Sequence, residues 1–130
     1  MKEYFEYSFK FTQEDVIKFA EASGDKNPVH LDKEFAKNTI FKKTILHGFL
    51  GGSVFSKVFG TMNPGFGTLY LRQTMSFYKP MFTQIDYKAK FTTIEINKNK
   101  HRALVKTEIF DLQENLIITG EALIQHESIN

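Results

Sequence analysis

Phe49-Leu50-Gly51-Gly52-Ser53-Val54-Phe55-Ser56-Lys57-Val58-Phe59 is almost wholly apolar or small, with Lys57 as its one charge. Leu50, Val54 and Val58 recur at helical spacing with Phe55 and Phe59 beside them, so the stretch predicts a helix buried round most of its circumference. Gly51 and Gly52 each cost such a helix about 1 kcal/mol relative to alanine. Their presence predicts that a strand or a ligand lies close against the helix backbone. Gly60 and the run Asn63-Pro64-Gly65-Phe66-Gly67 then end the helix in a turn-rich loop.

Beyond the loop the hydrophobic period changes. Leu69, Leu71, Met75 and Phe77 alternate with Tyr70, Arg72, Thr74, Ser76 and Tyr78, which predicts one half-buried strand, interrupted by Pro80. Ile85, Tyr87, Ala89 and Phe91 alternate next, and the phase slips by one before Ile94 and Ile96, so a bulge is expected near Thr92. Asn97-Lys98-Asn99-Lys100 is a polar hairpin connection. Ala103, Val105, Thr107 and Ile109 make the following strand, Asp111 to Asn115 turns, and Leu116, Ile118, Gly120, Ala122 and Ile124 supply the last.

Upstream, Tyr4 to Phe9 reads as a short first strand, and Thr12 with Asp15 has the form of a capping box. Val16, Phe19 and Ala20 predict a helix from Gln13 to Ala22 that stops at Gly24. Leu31, Phe35 and Ile40 among charged neighbours read as a short helix lying on the body of the protein. A strand, a helical part and four meandering strands define an α+β fold in which a long antiparallel sheet curls over one apolar central helix.

The chain of 130 residues reads as a single domain, residues 1–130, with no internal repeat or linker. Fourteen Phe and five Tyr with no Trp suit strands and large core contacts. The lack of cysteine excludes disulfides and thiolate chemistry, and four scattered histidines suggest no metal site. No apolar run is long enough for a membrane span, and Met1-Lys2-Glu3-Tyr4 begins no signal-like segment, so a cytoplasmic protein without a membrane partner is the expectation. A net charge of +2 is compatible with an anionic ligand but does not point to nucleic acid.

Candidate chemistry lies in Ser23-Gly24-Asp25-Lys26-Asn27-Pro28-Val29-His30, where Asn-Pro disfavours helix at Asn27 and bends the chain between a carboxylate and an imidazole. Two readings stand: Asp25 and His30 form a proton-transfer pair, or Asp25 stiffens a turn and His30 is a satisfied structural histidine. Gly48, after His47, either simply starts the apolar helix or offers a free amide at its positive end to a developing negative charge on a thioester oxygen. Ser56 either bonds back to its own helix or faces a ligand. Lys26, Lys37, Lys42, Lys43 and Lys57 either meet phosphates or form a solvated face.

Together these motifs resemble the MaoC-like dehydratase family, and within it the short (R)-specific enoyl-CoA hydratases. The stretch Ser23-Gly24-Asp25-Lys26-Asn27-Pro28-Val29-His30-Leu31-Asp32 has the form of the hydratase signature S-G-D-x-N-P-x-H-x-D. Phe35-Ala36, His47-Gly48, Pro64-Gly65-Phe66-Gly67, Tyr70-Leu71, Ser76-Phe77 and Thr119-Gly120-Glu121-Ala122 stand in register with it. The resemblance implies a hotdog fold, with Asp25 and His30 acting on water and the C2–C3 bond of a thioester. It implies Gly48 as the oxyanion donor, Ser56 as a serine that fixes the histidine segment, and His47 as a structural residue. It further implies a homodimer, an acyl-CoA or acyl-carrier-protein thioester as substrate, and no cofactor. The expected product is an (R)-3-hydroxyacyl thioester.

The chain departs from the family pattern in three places: Thr44 stands where Pro is common, Gly51 and Gly52 replace bulkier residues, and Gln84-Ile85 replaces a Gly-Asp turn. The two glycines either deepen an acyl tunnel or admit neighbouring aromatics. An acyl-carrier-protein dehydratase is the near alternative. A hotdog protein that binds an acyl ligand without catalysis is the alternative of a different class.

Overall fold

The computed structural model describes all 130 residues. Its elements are β1 (Tyr4–Phe9), α1 (Gln13–Ser23), α2 (Pro28–Leu31), α3 (Lys33–Lys37), α4 (Gly48–Thr61), β2 (Leu69–Gln73), β3 (Ser76–Phe77), β4 (Tyr87–Asn97), β5 (Arg102–Asp111) and β6 (Leu116–Gln125). The strands form one antiparallel sheet in the order β1-β4-β5-β6-β2, with β3 also pairing β6.

The core lies between α4 and one face of this sheet. Leu50, Val54, Phe55, Val58 and Phe59 are buried, as the helical spacing predicts. Phe55 and Phe59 meet Phe91 of β4 edge to face at 5.7 and 5.3 Å. Ala103, Val105, Thr107 and Ile109 of β5 all point inward, the period-two set that the sequence offers. In β4 the register shifts between Thr93 and Glu95, within a turn of the strand from the expected bulge. The two helix glycines are covered by methionines: a Cβ on Gly51 would lie 2.7 Å from Met81 Sδ, and one on Gly52 2.6 Å from Met75 Sδ. The close approach is therefore made by flexible side chains, not by a strand backbone.

The expected single strand from Leu69 to Tyr78 is broken, and its facing differs. Thr74 turns out of the ladder, its N–H donating to Glu121 O (2.9 Å) while its hydroxyl accepts from Glu121 N–H (3.0 Å). The Thr74 carbonyl crosses directly over Gly120, where a Cβ would stand 1.7 Å from Thr74 O. A further register shift between Tyr70 and Arg72 re-aims β2, so that Tyr70 packs on Phe59 (5.4 Å) while Leu69, Leu71 and Phe77 stay exposed at the sheet edge.

Upstream the local signals hold. Thr12 and Asp15 form a reciprocal capping box, and Gly24 closes α1 with a left-handed φ of 81°. The expected short helix after His30 is two one-turn pieces, divided at Asp32, whose carboxylate caps α3. Ile40 lies beyond both and is exposed. α4 runs one residue past Gly60. No helix is long and apolar enough to cross a membrane.

Candidate active site

Local turn chemistry positions the first pair of groups. Asp25 N–H donates to Ser23 Oγ (3.1 Å), Asp25 Oδ1 accepts from Asn27 N–H (3.2 Å), and Asn27 Oδ1 accepts from Val29 N–H (3.1 Å), capping α2. Pro28 opens that single turn, where its missing N–H costs nothing. His30 therefore projects from a rigid turn that starts next to Asp25. A second segment docks against the first: Ile45 N–H donates to Val29 O (3.2 Å), and Leu46 N–H to Met81 O (2.9 Å).

The histidine tautomers follow from their partners. His30 Nδ1 lies 2.8 Å from Ile45 O, and a carbonyl only accepts, so Nδ1 carries the proton and Nε2 the lone pair. That Nε2 has no partner in the chain and is not sealed from solvent. His47 Nε2 likewise donates to Asp25 O (2.9 Å), which leaves Nδ1 as an acceptor that is buried and unpartnered. The His30 and His47 rings stack at 3.9 Å, and His47 also meets Phe19 at 4.8 Å. Burial holds the His30 pKa below the usual histidine value; the carbonyl of Ile45 opposes this, His47 adds to it, and Asp25 opposes it.

Ligand-type atoms of Asp25, His30 and His47 lie within 4.8 Å of one another. The two rings stack with an interplanar angle of 29°, and a carboxylate beside an imidazole is a set able to hold and pass a proton.

Gly48 begins α4 immediately after this cluster. No side chain caps the helix, and the N–H groups of Gly48 and Phe49 have no acceptor in the chain, whereas those of Leu50 and Gly51 donate to His47 O. Two free amides thus stand at the positive end of a 14-residue helix. They open on a largely apolar cleft of about 450 Å³ whose lining includes His30, Gly48, Phe49, Phe77, Met81 and Ile118. Phe77 lies against the helix start, where a Cβ on Gly48 would meet its ring at 2.7 Å.

The structure brings Asp25, His30 and Gly48 to one end of α4. Ser56 stands apart: it is exposed, makes no hydrogen bond and does not line the cleft. Of the lysines, Lys37 pairs with Glu34, Lys57 with the Tyr7 hydroxyl, and Lys43 lies over the Phe82 ring. Lys79, which the sequence did not single out, lines the cleft; nothing in its strand-end context marked it in advance.

An antiparallel sheet packed over one long apolar helix, with polar groups gathered at that helix's N-terminus, is the hotdog fold. The chain belongs to the family described as MaoC like domain, whose profile matches residues 1–113. It is 38% identical over 118 residues to an (R)-specific enoyl-CoA hydratase of Aeromonas caviae, covering 91% of this chain and 88% of that protein. The solved (R)-hydratase from A. caviae involved in PHA biosynthesis superposes with a TM-score of 0.90 at 37% identity, covering 94% of this chain and 92% of that one. A mitochondrial 3-hydroxyacyl-acyl-carrier-protein dehydratase of Solanum lycopersicum is 32% identical, covering 86% of this chain and 68% of that protein.

Proposed function

We propose that this chain is a hydro-lyase that adds water reversibly across C2–C3 of a trans-2-enoyl-CoA to give the (R)-3-hydroxyacyl-CoA. What supports the reading is that His30, whose Nε2 has no partner in the chain, and Gly48, whose N–H is free, both line one apolar cleft, with a carboxylate oxygen of Asp25 within 4.8 Å of an imidazole nitrogen. The similarity to the A. caviae hydratase, over nearly the whole of both chains, supports CoA as the carrier.

The groups divide the work as follows. The thioester oxygen accepts from the Gly48 amide, where no reorganisation is needed as charge develops. Water held between Asp25 and His30 loses a proton as its oxygen bonds to C3, and the C2–C3 π electrons move to C2 and the thioester oxygen. The proton then goes to C2 from the same face, since donor and base stand on one side of the substrate. Dehydration is the reverse. Neutral His30, kept so by burial, is a competent base at physiological pH. Ser56 does not line the cleft, and no step is assigned to it.

The homodimer belongs to the same proposal. Leu69, Leu71, Phe77 and Tyr78 expose an apolar edge along β2 and β3 that a second copy would cover. Light scattering of the purified protein reads the dimer directly.

Loss of the enoyl-thioester absorbance of crotonyl-CoA, followed by chiral assignment of the product, tests the activity. Asp25→Asn and His30→Ala are each expected to lower turnover by at least ~100-fold without unfolding the protein. Wild-type turnover in either variant removes that residue from the mechanism. Activity on crotonyl-acyl-carrier-protein with none on crotonyl-CoA moves the chain to the carrier-protein dehydratases. A protein that binds acyl-CoA tightly but turns over neither carrier is a binding module.

A further inference from the structure

Alternation along the strands sends a second set of side chains to the face of the sheet away from the core. Ala103, Val105, Ala122 and Ile124 are buried, so their neighbours Arg102, Leu104, Leu123 and Gln125 point the other way. The register aligns them in two rungs: Asn97, Arg102 and Gln125 in one, and Glu95, Leu104, Leu123 and Arg72 in the next. Here lies a second cleft, of about 240 Å³, floored by half-buried Leu104 and Leu123 and edged by Lys100 from the hairpin before β5. It shares no residue with the cleft at His30 and Gly48. Ile118, which lines that first cleft, is five positions from Leu123 on β6, so the two residues stand about 17 Å apart along the strand and face opposite ways.

The cations of the second cleft are held in position, and none is neutralised. Arg102 is half-buried, and its Nε–H donates to Gln125 Oε1 at 2.9 Å, which sets the guanidinium plane and leaves its terminal amino groups for a ligand. Lys100 sits on a closed hairpin: its N–H donates to Asn97 Oδ1 at 3.1 Å, His101 takes a left-handed φ of 53°, and His101 Nδ1 donates to Ile129 O at 2.8 Å. The ion pairs of the chain join Glu14, Glu34, Glu6 and Glu108 to other lysines, and none involves Lys100, Arg102, Arg72 or Glu95. β6 lies between β5 and the β2 edge assigned above to a second copy. Arg72 is on that edge strand, and the inference does not need it.

The charges select the ligand. A monoanion gains little from Arg102 and Lys100 when Glu95 stands in the same cleft, whereas a di- or trianion outweighs that carboxylate. A phosphoryl group carries such a charge and offers oxygens to the guanidinium fork and the ammonium together. The space is below the roughly 300–1,000 Å³ of a pocket that encloses a whole organic ligand, so it fits one compact charged group. We infer that this cleft binds a phosphate or diphosphate group through Arg102 and Lys100, at a site separate from the catalytic cleft and independent of the hydratase reading. The group belongs either to a free inorganic anion or to a nucleotide.

The test is calorimetric titration of the intact protein with pyrophosphate at physiological salt, in wild type, Arg102→Gln, Lys100→Gln and Glu95→Gln, with melting temperatures as the check on folding. Wild type is expected to bind one pyrophosphate per chain with a Kd of about 1 mM or tighter. Arg102→Gln should weaken binding by about tenfold or more, the worth of one charge-assisted hydrogen bond. Lys100→Gln should weaken it too, and Glu95→Gln should tighten it. The same titration with ADP separates the sources: tighter binding than pyrophosphate marks a nucleotide, weaker binding a free anion, and either supports the site. No saturable binding of either probe overturns the inference. So does pyrophosphate binding that folded Arg102→Gln and Lys100→Gln leave unchanged, since the anion is then held elsewhere. Should Arg102→Gln fail to fold, Arg102→Lys keeps the charge and loses the fork, and unchanged affinity there together with unchanged affinity in Lys100→Gln overturns the inference equally.

Discussion

His47 makes no contact with a substrate in the proposed mechanism, yet it holds both groups that do. Its Nε2–H fixes the Asp25 carbonyl at 2.9 Å, and its ring supports His30 at 3.9 Å. His47→Phe keeps an aromatic ring against His30 and Phe19 while removing the Nε2–H donor together with the unpartnered Nδ1 acceptor. The lost hydrogen bond is neutral and its acceptor residue is exposed, so the cost in stability is about 1 kcal/mol, or roughly 4 °C in melting temperature. The kinetic cost is larger. Asp25 sits on a turn held otherwise by side-chain bonds to Ser23 and Asn27, and a displacement of about 1 Å from its working position lowers turnover by roughly 100-fold. His47→Gln carries an amide N–H at about the reach of imidazole Nε2 and should recover most of that loss. The assay pairs kcat for crotonyl-CoA hydration with the melting temperature of each variant. Full turnover in His47→Phe, or equal turnover in the Phe and Gln variants, refutes the idea that the bond to Asp25 positions the site.

Two further outcomes follow from the structure. His30 is held below the ordinary histidine value of 6.5, mainly by burial, so the unfolded chain binds its proton more readily. Its contribution to stability is complete above 6.5 and is lost as pH falls through the lower folded value, and the acid limb of kcat/KM should likewise lie below pH 6.5. A limb at or above 6.5 that disappears in His30→Ala contradicts the burial argument. Gly120→Ala places a methyl 1.7 Å from the Thr74 carbonyl, which must move off β6; a loss of about 3 kcal/mol in urea denaturation is expected, and unchanged stability rejects this account of the broken strand.

Much of this molecule is local enough to read from its residues. The central helix announces itself because a stripe as apolar as Leu50, Val54, Phe55, Val58 and Phe59 is stable only in a core. Strands β4 and β5 are legible for the matching reason, since Ala103 to Ile109 alternates without interruption. The Thr12 capping box, the Gly24 cap and the Asp25–Asn27 turn depend on neighbours within a few positions, so spacing alone determined them. That is also why Asp25 and His30 could be expected on either side of one bend, with both readings of their roles left open. Tertiary structure decided the rest, because each remaining feature depends on a partner far along the chain. The split between β2 and β3 needs Thr74 to cross Gly120, and the two helix glycines find their meaning only in Met75 and Met81. The histidine tautomers needed Ile45 and Asp25 carbonyls brought in from other loops, and the exposure of Ser56 needed the helix to be turned against the sheet. Sequence determines which residues must be buried and where the chain must bend; only the closed fold determines what each buried group touches.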